Sequence, residues 1–288
     1  MFKHTLLTAV LAATVATPAF AAPLKLEVFN PGEAAIFPVA SVLVTGDKDA
    51  VLVDAQFSRG EAIKLVEKIR ASGKRLTTIY ISHSDPDYYF GLDVIHAAFP
   101  AAKIVATQQT VAGIVQKKDA KVAYWGPILK DNAPQSVIVP QVLQGDTIKL
   151  EGESLKIEGL NGPAPDETYV WIPSIKAVVG GVLVFNGLHV WTADSQTAQA
   201  RQHWLAALEQ INGLHPVTVV PGHFKPGAPL TPAAVGYTRD YLVSFAAETA
   251  KAANADALIA RMKQLYPQAG LESALDISAK VAKGEMKW

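Results

Sequence analysis

The chain has 288 residues, half of them hydrophobic, so a sizeable core can form. Its 26 basic and 26 acidic residues cancel to a formal net charge of zero, which argues against nucleic acid as a partner, because phosphate binding needs clustered Lys and Arg. There is no cysteine, which excludes disulfides, a thiolate nucleophile and a cysteine-bound zinc.

Residues 1–21 read as a signal peptide. Lys3 precedes an apolar run from Leu6 to Ala16, and Pro18-Ala19-Phe20-Ala21 offers small residues where a signal peptidase reads, with cleavage after Ala21. The run is shorter than the ~20 residues of a spanning helix. Export to the periplasm or medium is therefore expected, with no membrane attachment after cleavage. Residues 22–288 contain no Pro/Gly/Ser-rich break and are read as one domain.

In chain order, Ala35–Val44 and Ala50–Asp54 are rich in β-branched and apolar residues, with Gly46-Asp47 as the turn of a hairpin. Glu61–Ser72 has a helical period in Ile63, Val66 and Ile69. Thr77–Ser82 is a short strand, Leu92–Phe99 a helix and Lys103–Thr107 a strand. Ile148–Leu160, Tyr169–Ile172 and Ala177–Leu183 read as consecutive strands. Ala198–Ile211 is a helix with Trp204, Leu205 and Leu208 inward, Pro216–Val220 a buried strand, and Thr231–Leu265 helical. The fold class is α/β, with two packed sheets and helices outside.

The chemistry concentrates where Thr77–Ser82 stops. His83, Asp85 and Asp87 follow at alternate positions of a loop, and a rigid strand end followed by a loop lets such side chains converge on a metal ion. The competing reading is an Asp-Pro turn with an incidental histidine. No Gly-x-Ser-x-Gly elbow, Ser-x-x-Lys pair or Gly-rich phosphate loop is present.

These landmarks resemble the metallo-β-lactamase superfamily. That family's His-x-His-x-Asp-His followed by Gly is matched by His83-Ser84-Asp85-Pro86-Asp87-Tyr88 with Gly91. Leu52-Val53-Asp54 resembles its early strand, Gly162-Pro163-Ala164-Pro165 its Gly-x-x-His loop, and Ala177–Gly181 the strand ending in its bridging acid. Pro221-Gly222-His223 resembles its closing motif. The resemblance implies a four-layer αβ/βα sandwich and a metal-dependent hydrolase acting on an ester, lactone or amide, β-lactams included. A small molecule is the expected partner.

The departures are informative. Asp85 and Tyr88 replace two histidines, Pro165 replaces the loop histidine and Gly181 the bridging acid. The implied ligand set is His83, Asp85, Asp87 and His223, a reduced, mononuclear centre for one divalent ion, Zn or a harder ion such as Mn or Fe. Asp85 or Asp87, where not a ligand, would orient water or act as general base. Asp166, Glu167 and Asp194 are further candidates, though solvated turn acids are the simpler reading. Tyr88 would either bind as phenolate or plug the vacated second site. Asp54 would support the loop through backbone hydrogen bonds. His189 reads as a residue packed beside Trp191. His96, His203 and His215 read as ordinary surface or core histidines, and Tyr88-Tyr89-Phe90 and Tyr124-Trp125 as core before pocket. The alternative to an enzyme is a binding protein that kept the fold and lost catalysis.

Overall fold

The structure, a computed structural model, describes residues 23–162 and 164–288; the expected signal peptide and Pro163 lie outside the described residues. The first sheet orders β1 (Lys25–Phe29), β2 (Ser41–Thr45), β3 (Asp49–Val53), β4 (Arg75–Ile81), β5 (Lys103–Ala106) and β6 (Gln141–Val142) side by side. The second runs β12 (Thr218–Val219), β10 (Ala177–Val179), β9 (Tyr169–Ile172), β8 (Glu153–Glu158), β7 (Thr147–Leu150). A small parallel ribbon pairs β11 (Phe185–Asn186) with β13 (His223–Phe224). Helices α1 (Arg59–Ala71), α2 (Pro86–Tyr89), α3 (Leu92–Ala98) and α4 (Gln108–Leu129) belong to the first half. Helices α5 (Ala198–Gly213), α6 (Ala233–Lys251), α7 (Ala255–Leu265) and α8 (Glu272–Ala282) belong to the second.

Three apolar clusters define four layers. Leu43, Leu52 and Ile79 meet Leu65, Ile69 and Ile95 of α1 and α3 on the outer face of the first sheet. Val42, Val53 and Tyr80 meet Leu155, Val170 and Val179 between the sheets. Val178 and Val219 meet Leu208, Leu242 and Leu258 under the outer helices of the second sheet. Strands β2 and β3 are buried on both faces, which is why their sequences are continuously apolar rather than alternating. The fold is the α/β sandwich expected, and no helix among the described residues is long and apolar enough to cross a membrane.

The differences from the sequence reading have local causes. The 148–160 strand folds back as β7 and β8, because Glu151 and Gly152 both adopt left-handed φ (50° and 90°). The Glu151 carboxylate then accepts the backbone N–H groups of Asp47, Lys48 and Asp49, clamping the β2–β3 turn. The 177–183 strand stops at Val179, where Gly180 and Gly181 turn left-handed. Within α1 the buried stripe is Ala62, Leu65, Val66 and Ile69, and Ile63 faces outward. That helix starts on a reciprocal cap between Ser58 and Glu61. Leu205 is half-buried rather than inward. Helix α4 has few buried residues, and its weak apolar stripe hides it from periodicity.

His189 is buried and its Nδ1 lies 3.0 Å from the Tyr241 hydroxyl. Burial lowers its pKa from 6.5 to about 4. The unfolded chain takes this proton near 6.5 and the folded chain does not, so the stability His189 supports is present above 6.5 and lost as pH falls towards 4. Thermal melts should show Tm falling across that window, with a smaller fall in His189→Gln.

Candidate functional site

The site grows from one strand end. Asp54, at the end of β3, is fully buried and holds a left-handed φ of 66°. Its carboxylate accepts the Ser82 N–H at 2.8 Å and the Ser82 hydroxyl at 2.7 Å. Ser82 Oγ in turn accepts the Gly181 N–H at 2.8 Å, so the ends of β3, β4 and β10 are tied together. Burial raises the Asp54 pKa to about 7, against the lowering effect of the Ser82 hydrogen bonds. Gly91 packs under the loop because a Cβ there would come within 2.1 Å of the Ala55 carbonyl oxygen.

Beyond Ser82 the chain delivers His83, then α2 with Asp87 and Tyr88. His83 is buried, with Nδ1 3.6 Å from Asp85 Oδ2 and Nε2 3.6 Å from Glu167 Oε2. Burial works against charge on this imidazole, but Glu167 and Asp85 outweigh it and raise the pKa to about 10. Asp85 also faces Lys121 of α4, 3.5 Å away. On the opposite side, β13 carries His223, whose Nε2 lies 2.9 Å from Asp87 Oδ2, both groups buried. His223 stacks on Phe185 with ring centres 4.9 Å apart.

Tyr88 stands between the two imidazoles. Its ring centre is 5.3 Å from that of His83 and 5.7 Å from that of His223, and its hydroxyl lies 3.4 Å from His223 Nδ1. It is fully buried, which raises its pKa well above the ordinary phenol value and keeps it neutral. The ring thus fills the space between the two imidazoles.

The structure thus brings His223 together with Asp87, and His83 with Asp85 and Glu167, but not all four expected ligands to one point. Asp85 and Glu167 address opposite nitrogens of the His83 ring. A single ion could not be reached by both without turning it. Among the described residues no three His, Asp or Glu side chains form a group that could hold a metal ion. Gly181, at the bridging-acid position, cannot carry a side chain: its φ is 77° and a Cβ would sit 2.2 Å from the Thr168 carbonyl oxygen. As placed here, the residues present do not fit the metal centre that the sequence resemblance implies.

The remaining candidates have other surroundings. Asp194 accepts the indole N–H of Trp191 at 2.6 Å and of Trp288 at 2.9 Å. Asp166 is exposed at the crevice rim and Pro165 lines it. Tyr89 and Phe90 are core, and Trp125 lines a pocket beside Asp87. Lys121 and Trp288 belong to the site yet carry no motif; only the fold places them there. The crevice has a polar part of about 380 Å³ bounded by His83, Glu167 and His203, and an apolar arm of about 40 Å³ reaching Asp87 and His223.

Residues 35–223 match the profile of the metallo-beta-lactamase superfamily. No curated protein matches the sequence. Among solved structures, a metallo-beta-lactamase from Pontibacter korlensis superposes with a TM-score of 0.55 at 17% identity, over 78% of this chain and 97% of that one. A metallo-beta-lactamase family protein from Thermus thermophilus gives 0.60 at 14% identity, over 91% and 93%. The DIM-1 metallo-beta-lactamase gives 0.51 at 20% identity, over 78% and 99%. These likenesses show a shared fold. With more than half of its length matched by the profile, the chain belongs to the metallo-beta-lactamase superfamily, most of whose members are metal-dependent hydrolases.

Proposed function

We propose that this protein binds a small organic molecule in the strand-end crevice, and that internal imidazole–carboxylate pairs stand where a metal centre would otherwise form. The observation that carries this reading is the position of the Tyr88 ring between two imidazoles, each already engaged by its own carboxylate. Metal binding needs free donor atoms aimed at one point. Here Asp87 and His223 are spent on each other, and Asp85 is shared by His83 and Lys121. Paired buried charges satisfy one another only in good geometry, which holds the crevice walls in place. The apolar leader of residues 1–21 supports a periplasmic or secreted location for this binding.

A second reading, a hydrolase of an ester, lactone or amide with one divalent ion, is favoured by one observation. Asp87 and His223 come from opposite halves of the sandwich and meet at 2.9 Å, at positions matching the family's ligand motifs. Metal analysis of protein purified without chelator separates the two. The binding reading expects metal far below one ion per chain, an unchanged melt in EDTA and a flat hydrolysis screen with added Zn or Mn. Stoichiometric metal that disappears in Asp87→Ala and His223→Ala would transfer the conclusion to the hydrolase.

His223→Ala also tests the pairing itself. It leaves the Asp87 carboxylate buried and uncompensated, which should cost about 3–5 kcal/mol of unfolding free energy in urea titrations. A loss under about 1 kcal/mol, the range of an exposed ion pair, would mean that the pair is not the structural element described.

A further inference from the structure

The apolar arm of the crevice is walled by Phe37, Trp125, Trp191 and Trp288. Phe37 meets Trp125 edge-on at 5.5 Å and Trp191 edge-on at 5.8 Å, and Trp191 meets Trp288 at 5.0 Å and 70°. Asp194 fixes two of these rings by accepting both indole N–H groups, so their orientation does not depend on a ligand. Into this arrangement α4 inserts one cation. Lys121 Nζ lies 5.9 Å from the centre of the Trp288 ring and 3.5 Å from Asp85 Oδ1, an ammonium held between an indole face and a carboxylate.

Charge points the same way. The arm and the polar part together are lined by Asp85, Asp87, Asp166, Glu167 and Asp194, against Lys117, Lys121 and the histidines His83, His203 and His223; of the acids in the arm, Asp194 is the one with no ion-pair partner among the described residues. Acidic linings in a low-dielectric cleft concentrate cations and repel anions. Aromatic faces add an attraction that every ammonium shares and a neutral isostere lacks.

We propose that the aromatic arm is a subsite for the ammonium head of a ligand whose body lies in the polar part, with Trp288 and Trp191 supplying the faces and Lys121 as the resident cation whose displacement makes the room that an arm of about 40 Å³ lacks. This rests on the small-molecule reading above and names the ligand's chemical class. The walls Trp191 and Trp288 are positioned by Asp194, whose carboxylate accepts from both indoles.

The test uses the full chain and three matched probes: choline, its neutral carbon isostere 3,3-dimethylbutan-1-ol, and the anion isethionate, titrated by calorimetry and tryptophan fluorescence. Choline should bind at least about tenfold tighter than the isostere, and isethionate should not compete. Trp288 is 39% exposed, so Trp288→Leu should fold with an unchanged melt and weaken choline about tenfold. Lys121→Met, by removing the resident cation, should tighten choline about threefold or more. Equal binding of choline and the isostere, or tighter binding of isethionate, would overturn the ammonium subsite while leaving a small-molecule site standing. Weaker choline binding in Lys121→Met would overturn the displacement. Absence of binding by all three probes also overturns the subsite; only stoichiometric metal in the analysis above removes the small-molecule reading with it.

Discussion

A carboxylate buried out of reach of water holds the site together. Asp54 carries no exposed surface and accepts two hydrogen bonds from Ser82, one from its backbone and one from its hydroxyl. Burying such a group costs several kcal/mol unless its oxygens are satisfied, so the Ser82 contacts are obligatory rather than decorative. Ser82 passes the constraint on, because its hydroxyl also receives the Gly181 N–H and its carbonyl oxygen the Thr168 hydroxyl. Strand ends from both sheets are thereby drawn to one small polar knot. His83 leaves that knot one residue later, which fixes where its imidazole can go.

What the loop then builds is a competition between two ways of neutralising buried donors. A divalent ion can satisfy imidazoles and carboxylates at once, but it needs their lone pairs aimed at a common point. Side chains can instead satisfy one another in pairs, which needs only local geometry. Glu167 and Asp85 on either nitrogen of His83, and Asp87 on His223, follow the second route. Among the described residues the buried Glu167 Oε2 has no hydrogen-bond partner, its approach to His83 being 3.6 Å, so this side of the network is electrostatic rather than hydrogen-bonded. The Asp87–His223 side, at 2.9 Å, is a true hydrogen bond.

The legible parts of the sequence were those with strong local patterns. The continuously apolar β3, the apolar end of β4 and the abrupt polar stop after Ile81 can each be read in a few residues. The site was legible as a cluster but not as an arrangement. His-x-Asp-x-Asp spacing says that donors lie on one loop; which nitrogen faces which carboxylate depends on Glu167, which reaches His83 from another loop far along the chain. Helix α4 buries only Thr110, Ile114, Trp125 and Leu129 along 22 residues, too sparse a stripe to mark a period, yet it supplies Lys121. Trp288 has no motif at all; its role exists only because Asp194 and Trp191 stand beside it. Long-range pairings of this kind carry no short-range signature.

The departures from the family motif are also physically linked. Gly181 cannot gain a Cβ without striking the Thr168 carbonyl oxygen, and Gly222 cannot gain one without striking the Gly181 carbonyl oxygen at 2.0 Å. The same hypothetical atom on Gly222 would lie 3.0 Å from the Tyr88 hydroxyl. Close backbone approach at these two glycines therefore makes the floor on which the Tyr88 phenol rests. An acid at 181 would need a different course for the chain after β10. A histidine at 88 alone would leave a void beside Gly222 and still face Asp87 already bound to His223. Gly181, Gly222 and Tyr88 are thus linked by direct contact, and the Asp87–His223 pair lies beside the same phenol.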